Sequence, residues 1–237
     1  MELYTFIYLI PMLLSAIFSL KAFSQKWPKP FKIFSVDLVF CVIFEAFALI
    51  WPYLIKYGWF NSYLVGYKPY NIWIYNFGMI AAESISLYFF YEVIRSQTIR
   101  KVILGAMIIL IPLSFLNYFF FQGPHILNNY SLIAFKICNI ILTLLCFIQI
   151  INDEQIFKLA KYSLTWILIG RFLYSLFTII PFLNYDFLSE QYIKIGFLFF
   201  YAQDLVNIIC YTLYLIAYLC KPHPTPPSTQ SSYLVSS

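Results

Sequence analysis

Charge is what this sequence has least of. Asp, Glu, Lys and Arg make up only 11% of the 237 residues, while 62% are hydrophobic. A soluble domain carries roughly 25% charged residues. The shortfall leaves no polar shell for a chain of this length, which excludes a water-soluble globular domain and implies an integral membrane protein. Paired cysteines are also missing. Cys41, Cys138, Cys146, Cys210 and Cys220 all lie in or at the end of apolar segments, and none forms a CxxC motif. Neither a disulfide framework nor a zinc site is therefore indicated, and the cysteines read as small packing residues. The two histidines, His125 and His223, have no partner at metal-ligand spacing, so no metal and no cofactor is expected. The net charge of +5 comes from short basic clusters beside apolar segments. None is long enough to follow a phosphate backbone, so nucleic acid is not an expected partner. The N-terminus lacks the basic n-region and small-residue cleavage site of a secretory signal, so the first apolar segment is expected to be a retained helix.

What is present is a series of long apolar runs. A helix needs roughly 20 such residues to cross the hydrocarbon of a bilayer. Seven segments qualify, at 3–23, 33–55, 71–94, 101–121, 130–151, 162–183 and 193–220. The expected fold is therefore an all-α membrane protein of seven transmembrane helices spanning 1–221. The connections hold turn residues and charges and leave no room for a soluble domain. Residues 222–237 are rich in Pro and Ser and are expected to form a disordered tail.

The basic residues alternate from loop to loop. Lys21, Lys26, Lys29, Lys32, Arg95, Arg100, Lys101, Lys158, Lys161 and Lys221 flank the first, third and fifth loops and the tail. Only Lys56, Lys68 and Lys194 belong to the others. The positive-inside rule then places the N-terminus outside and the C-terminus in the cytoplasm of a multi-pass plasma (inner) membrane protein. Trp27, Trp51, Trp59 and Trp73 lie near the expected interfaces, where amphipathic rings settle. Helices one to three and five to seven run in the same directions, which is compatible with a 3+1+3 plan. Pro11 and Pro112 fall inside helices one and four, where each is expected to kink its helix.

Five of the seven segments carry a polar or ionisable residue near the middle: Glu45, Glu83, Asn139, Arg171 and Asp204. A charge at a helix centre costs about 2.5–3.5 kcal/mol on insertion scales, so these groups are expected to face inward, to pair and to form one layer. Residues three, four and seven apart share a helix face. By that spacing Asp37, Cys41 and Glu45 share a face, as do Asp204, Asn207, Tyr211, Tyr214 and Tyr218. Helices six and seven are joined by a short loop and are expected to be neighbours, which makes Arg171 with Asp204 the expected ion pair. The same argument brings Glu45 near Glu83, with Lys136 about a turn outward to offset the surplus acid. Glu45, Glu83, Asn139, Arg171, Asp204 and Asn207 are thus the candidate ligand-binding or proton sites.

A microbial rhodopsin would need a lysine near the middle of helix seven, where Asp204 stands. Lys194 lies roughly 15 Å away along the helix, so a retinal protein is excluded. The SWEET sugar transporters share the size and helix plan, but their Pro-Gln signature is missing. "NFGMIAAESISLYFFYEVI" with Glu83, "SFLNYFFF" with Asn117, and "LVNIICYTLYLIAYLCKP" with Asn207 and Tyr214 resemble a group of small seven-helix bacterial membrane proteins of unassigned function. The resemblance implies a shared fold and a shared role for Glu83, Asn117 and Asn207, and it brings no activity. The residues themselves favour a sensor that binds a small or lipidic ligand among aromatic walls and signals through a cytoplasmic protein partner, with the lipid bilayer as its surroundings. The alternatives are a proton-coupled transporter using Glu45, Glu83 and Asp204, a structural subunit of a membrane complex, and an intramembrane lipid enzyme. No nucleophile–base pair supports the enzyme, and no catalytic residue is assigned.

Overall fold

The computed structural model describes residues 7–56, 72–123, 126–152, 160–183 and 193–222, the side chains of 56 and 193–200 excepted. The expected tail beyond residue 222, Trp59, both histidines, Lys68 and Lys158 lie outside these. The described chain is helical throughout and contains no strand. In order run α1 (Leu9–Ser19), α2 (Lys21–Ser24), α3 (Lys29–Lys56), α4 (Ile72–Val93), α5 (Gln97–Leu116), α6 (Asn129–Asn152), α7 (Ser163–Leu183) and α8 (Ile193–Leu219). A π-helical turn, Asn117–Phe121, extends α5.

Five helical stretches are long and apolar enough to cross a membrane: Lys29–Ile55, Gln97–Phe121, Asn129–Asn152, Ser163–Leu183 and Tyr201–Leu219. The Leu9–Ser24 stretch is shorter, and α4, which carries Glu83 and Glu92, is not among the five. Polarity is distributed inside out. Asp37, Glu83, Lys136, Asn139 and Arg171 are buried, whereas Ile108, Phe120 and Phe121 are each more than 70% exposed. Water would select the reverse pattern; acyl chains select this one.

The helix starts follow the local sequence. Ser96 caps α5 by accepting a hydrogen bond from the Ile99 amide at 3.4 Å. Lys26, at φ 53°, makes the elbow between α2 and α3. Pro11 falls in the first turn of α1, where the missing N–H would have no helical partner, so it does not interrupt a helix as expected from a span beginning at residue 3. Pro112 does lie inside α5, and the π turn follows it.

Contacts between helices close a ring in the order α1, α3, α4, α6, α7, α8 and back to α1. α5 packs outside this ring against α4 and α6. α1 fits between α3 and α8 because its buried face is narrow: Met12, Ser15, Ala16 and Ser19. Small residues let backbones approach, and Ser19 Oγ meets Ser35 Oγ at 2.7 Å.

The helices alternate in direction. Lys29 Nζ donates to Glu92 Oε1 at 2.7 Å, joining the start of α3 to the end of α4. The Arg95 amide donates to Gln149 Oε1 at 3.0 Å, bringing in the end of α6. The Ser163 amide donates to the Lys221 carbonyl at 2.9 Å, and Tyr162 and Lys221 form a parallel bridge that fastens the end of α8 to the start of α7. These groups define one basic end of the bundle. At the opposite end Trp51 and Trp73 pack edge to face at 5.2 Å.

Candidate functional site

Two polar stripes, on α3 and α8, face each other across the interior, and buried polar groups of α4, α6 and α7 join them. On α3, Asp37, Cys41 and Glu45 recur every fourth residue and fall on one side of the helix. On α8 the stripe is Asp204, Asn207, Tyr211, Tyr214 and Tyr218. The helices run in opposite directions, so the two stripes meet rung by rung. At the basic end Tyr218 donates to the Phe31 carbonyl at 2.8 Å and stacks on Trp27 at 5.5 Å. Next, Phe34 meets Tyr214 edge to face at 4.9 Å. Further along Cys41 meets Tyr211, and just past the middle of both helices Glu45 and Asp204 are close enough for their charges to interact.

Three ionic stations stand in the interior that these helices enclose. The inner station is Arg171 of α7, whose Nη2 donates to Asp37 Oδ2 with both side chains buried. The guanidinium carbon lies 5.1 Å from the centre of the Phe34 ring, a cation–π position. The middle station is Glu83 of α4. Lys136 of α6 donates to its Oε1, and Asn139 Nδ2 donates to Oε2 at 2.5 Å. Ser86 Oγ completes the set by donating to Asn139 Oδ1 at 3.1 Å, and the Lys136 ammonium sits 4.1 Å from the centre of the Tyr174 ring. The outer station is Glu45. Its Oε1 accepts from the Tyr8 hydroxyl at 2.5 Å and the Tyr75 hydroxyl at 3.1 Å, with Asp204 nearby. Glu45 and Asp204 are half-buried, and no ion pair among the described residues involves either.

Two expectations are corrected here. Arg171 pairs with Asp37, not with Asp204. Asp204 stands on α8 well toward the far end from Arg171, and the α8 side chain beside Arg171 is Tyr214. Glu83 pairs directly with Lys136 rather than sharing a site with Glu45, because α4 touches α6 as well as α3. The single polar layer also resolves into steps. Measured along each helix from the basic end, Asp37 and Arg171 lie at roughly 12 Å, Glu83 at roughly 15 Å, and Glu45 and Asp204 at roughly 23 Å. Asn139 joins the middle station as an inward-facing group. Among the described residues Asn207 takes a local bond, accepting from Gln203 Nε2 at 3.2 Å.

A fourth polar group lies at the far end around α5. Asn117 Nδ2 donates to Gln122 Oε1 at 2.7 Å and also to Asn128 Oδ1. Asn128 donates to the Ser114 carbonyl at 2.9 Å and receives support from Asn76, whose Oδ1 accepts the Asn128 amide at 2.8 Å. These bonds satisfy the backbone where α5 turns into its π-helical extension, a structural task.

No family model, no curated protein and no solved structure matches this chain. The likeness carried by Glu83, Asn117 and Asn207 therefore rests on those residues alone. Among them, the structure places Glu83 in an ionic station and Asn117 in the far-end network.

Proposed function

We propose that the chain is a seven-span plasma-membrane protein, N-terminus outside and C-terminus in the cytoplasm, that moves protons along the α3/α8 seam in a proton-coupled transport cycle. The observation that carries this reading is the stagger of the ionic stations. A scaffold needs only charge-neutral pairs, and the Asp37–Arg171 and Glu83–Lys136 pairs would serve it. Glu45 and Asp204 add two carboxylates without a basic partner among the described residues, half-buried just past the middle of α3 and α8 as seen from the basic end. Tyr211 and Cys41 on the facing stripes, with Tyr174 of α7 beside Lys136, stand between that outer station and the inner one, so hydroxyl and thiol groups recur at short intervals. The inside-out polarity and the basic end support the span count and the orientation.

The test is reconstitution of the full chain in vesicles with a trapped pH dye under an imposed membrane potential, with and without a panel of small solutes outside. Proton uptake is expected, reduced about tenfold or more by Glu45→Gln or Asp204→Asn. A folded protein that moves no protons under any of these conditions overturns the proposal.

The half-exposure of Glu45 and Asp204 beside the Tyr8 and Tyr75 hydroxyls also favours a second reading, in which the outer station captures a ligand for sensing. Binding of a solute lost in Glu45→Gln, with no proton movement, would select that reading.

A further inference from the structure

The inner station is less complete than the other two. Asp37 Oδ1, Arg171 Nε, Ser175 Oγ and the Tyr214 hydroxyl are all buried, and none has a hydrogen-bond partner among the described residues. Their residues are at most 6% exposed. Such atoms are rare in folded proteins, because each keeps its full desolvation penalty if nothing meets it. Four of them at one station are not scattered defects. Arg171 and Asp37 are bonded to each other. Ser175 lies one turn from Arg171 on the same face of α7. The Tyr214 ring lies where a Cβ on Gly170 would stand, next to Arg171. The set is chemically mixed: a carboxylate oxygen that only accepts, a guanidinium N–H that only donates, and two hydroxyls that do both.

We infer that the inner station is a hydration site, in which internal water bridges Asp37 Oδ1, Arg171 Nε, Ser175 and Tyr214. Water fits because it is compact and both donates and accepts. An anion would be repelled by Asp37 and a cation by Arg171, and the pair is already neutral. An apolar occupant would leave all four atoms unmet. Buried waters typically make about three hydrogen bonds to groups of this kind. The inference stands on these atoms and does not depend on the proton-transport reading.

Tyr218 supplies an internal control. It sits one turn further along α8, is fully buried, and has its hydroxyl bonded to the Phe31 carbonyl. The experiment is X-ray hydroxyl-radical labelling of the full chain in lipid nanodiscs, in ordinary and in 18O water, with residue-level mass spectrometry. Radicals generated from bound water modify the side chains that hold it. Tyr214 is expected to be labelled about fivefold faster than Tyr218 and to incorporate 18O from the solvent. Ser175→Ala is expected to slow Tyr214 labelling while leaving Tyr218 unchanged. Equal rates at the two tyrosines, whether both low or both high, overturn the inference, and so does Tyr214 labelling that is indifferent to Ser175→Ala. Proton flux in vesicles is read separately, so a dry inner station and a failure of transport are distinguishable results.

Discussion

Arg171 and Lys136 are each held in the apolar interior by a carboxylate from a different helix. Removing one partner of a buried ion pair costs about 3–5 kcal/mol, because the other charge is left uncompensated, whereas replacing both by apolar groups costs far less. Asp37→Asn is therefore expected to lower the thermal unfolding midpoint of the purified protein sharply, and Asp37→Leu with Arg171→Met to recover most of the loss. The same logic applies to Glu83→Gln against Glu83→Leu with Lys136→Met. Asn139→Ala removes one donor to Glu83 and is expected to cost about 1–3 kcal/mol, a smaller effect because Lys136 stays in place. Asp204→Asn is expected to leave the midpoint nearly unchanged, since Asp204 holds no ion pair among the described residues. Equal losses for Asp37→Asn and Asp204→Asn would contradict this assignment of partners.

At the scale of helices, two glycines set how closely neighbours approach. The Phe44 ring of α3 occupies the space where a Cβ on Gly78 of α4 would stand, and the Tyr214 ring of α8 does the same at Gly170 of α7. Cys210 Sγ also reaches the Gly170 carbonyl, at 3.4 Å. Gly170→Val is expected to destabilise the protein by about 1–3 kcal/mol through overpacking, and Tyr214→Ala in the same chain to relieve part of it, as read from thermal unfolding in detergent. The helices are legible in the sequence because length and apolarity decide them. The runs at 71–94 and 193–220 correspond to α4 and α8 almost residue for residue. Partner choice is not legible, because it depends on which face each helix turns to which neighbour. Short loops put α7 beside α8, but they say nothing about Arg171 crossing to α3, 134 positions away in sequence. A signal is nonetheless present: Asp37 and Arg171 stand equally far from the basic ends of their helices, and Asp37 shares a stripe with Cys41 and Glu45. Position alone makes Lys136 a distant offset for surplus acid, although its side chain is long enough to reach back to Glu83.

For the whole molecule, the proposed topology puts the basic end in the cytoplasm and the Asn117–Asn128 network outside. Single cysteines introduced at Thr98 and at Gln122, on a background lacking the native five, test it with a membrane-impermeant thiol reagent. Intact cells are expected to be labelled through Gln122→Cys only, and Thr98→Cys to react only after the membrane is opened. The reverse pattern would invert the molecule. The main-chain bridge between Tyr162 and Lys221 has a mechanical consequence in either orientation. Carbonyl and amide groups join the chain just beyond α8 to the start of α7, which resists sliding of these two helices past each other at that end. A shift of Tyr214 against Gly170 would then separate the two helices more on the side remote from that bridge, the half of α8 in which Asp204 stands.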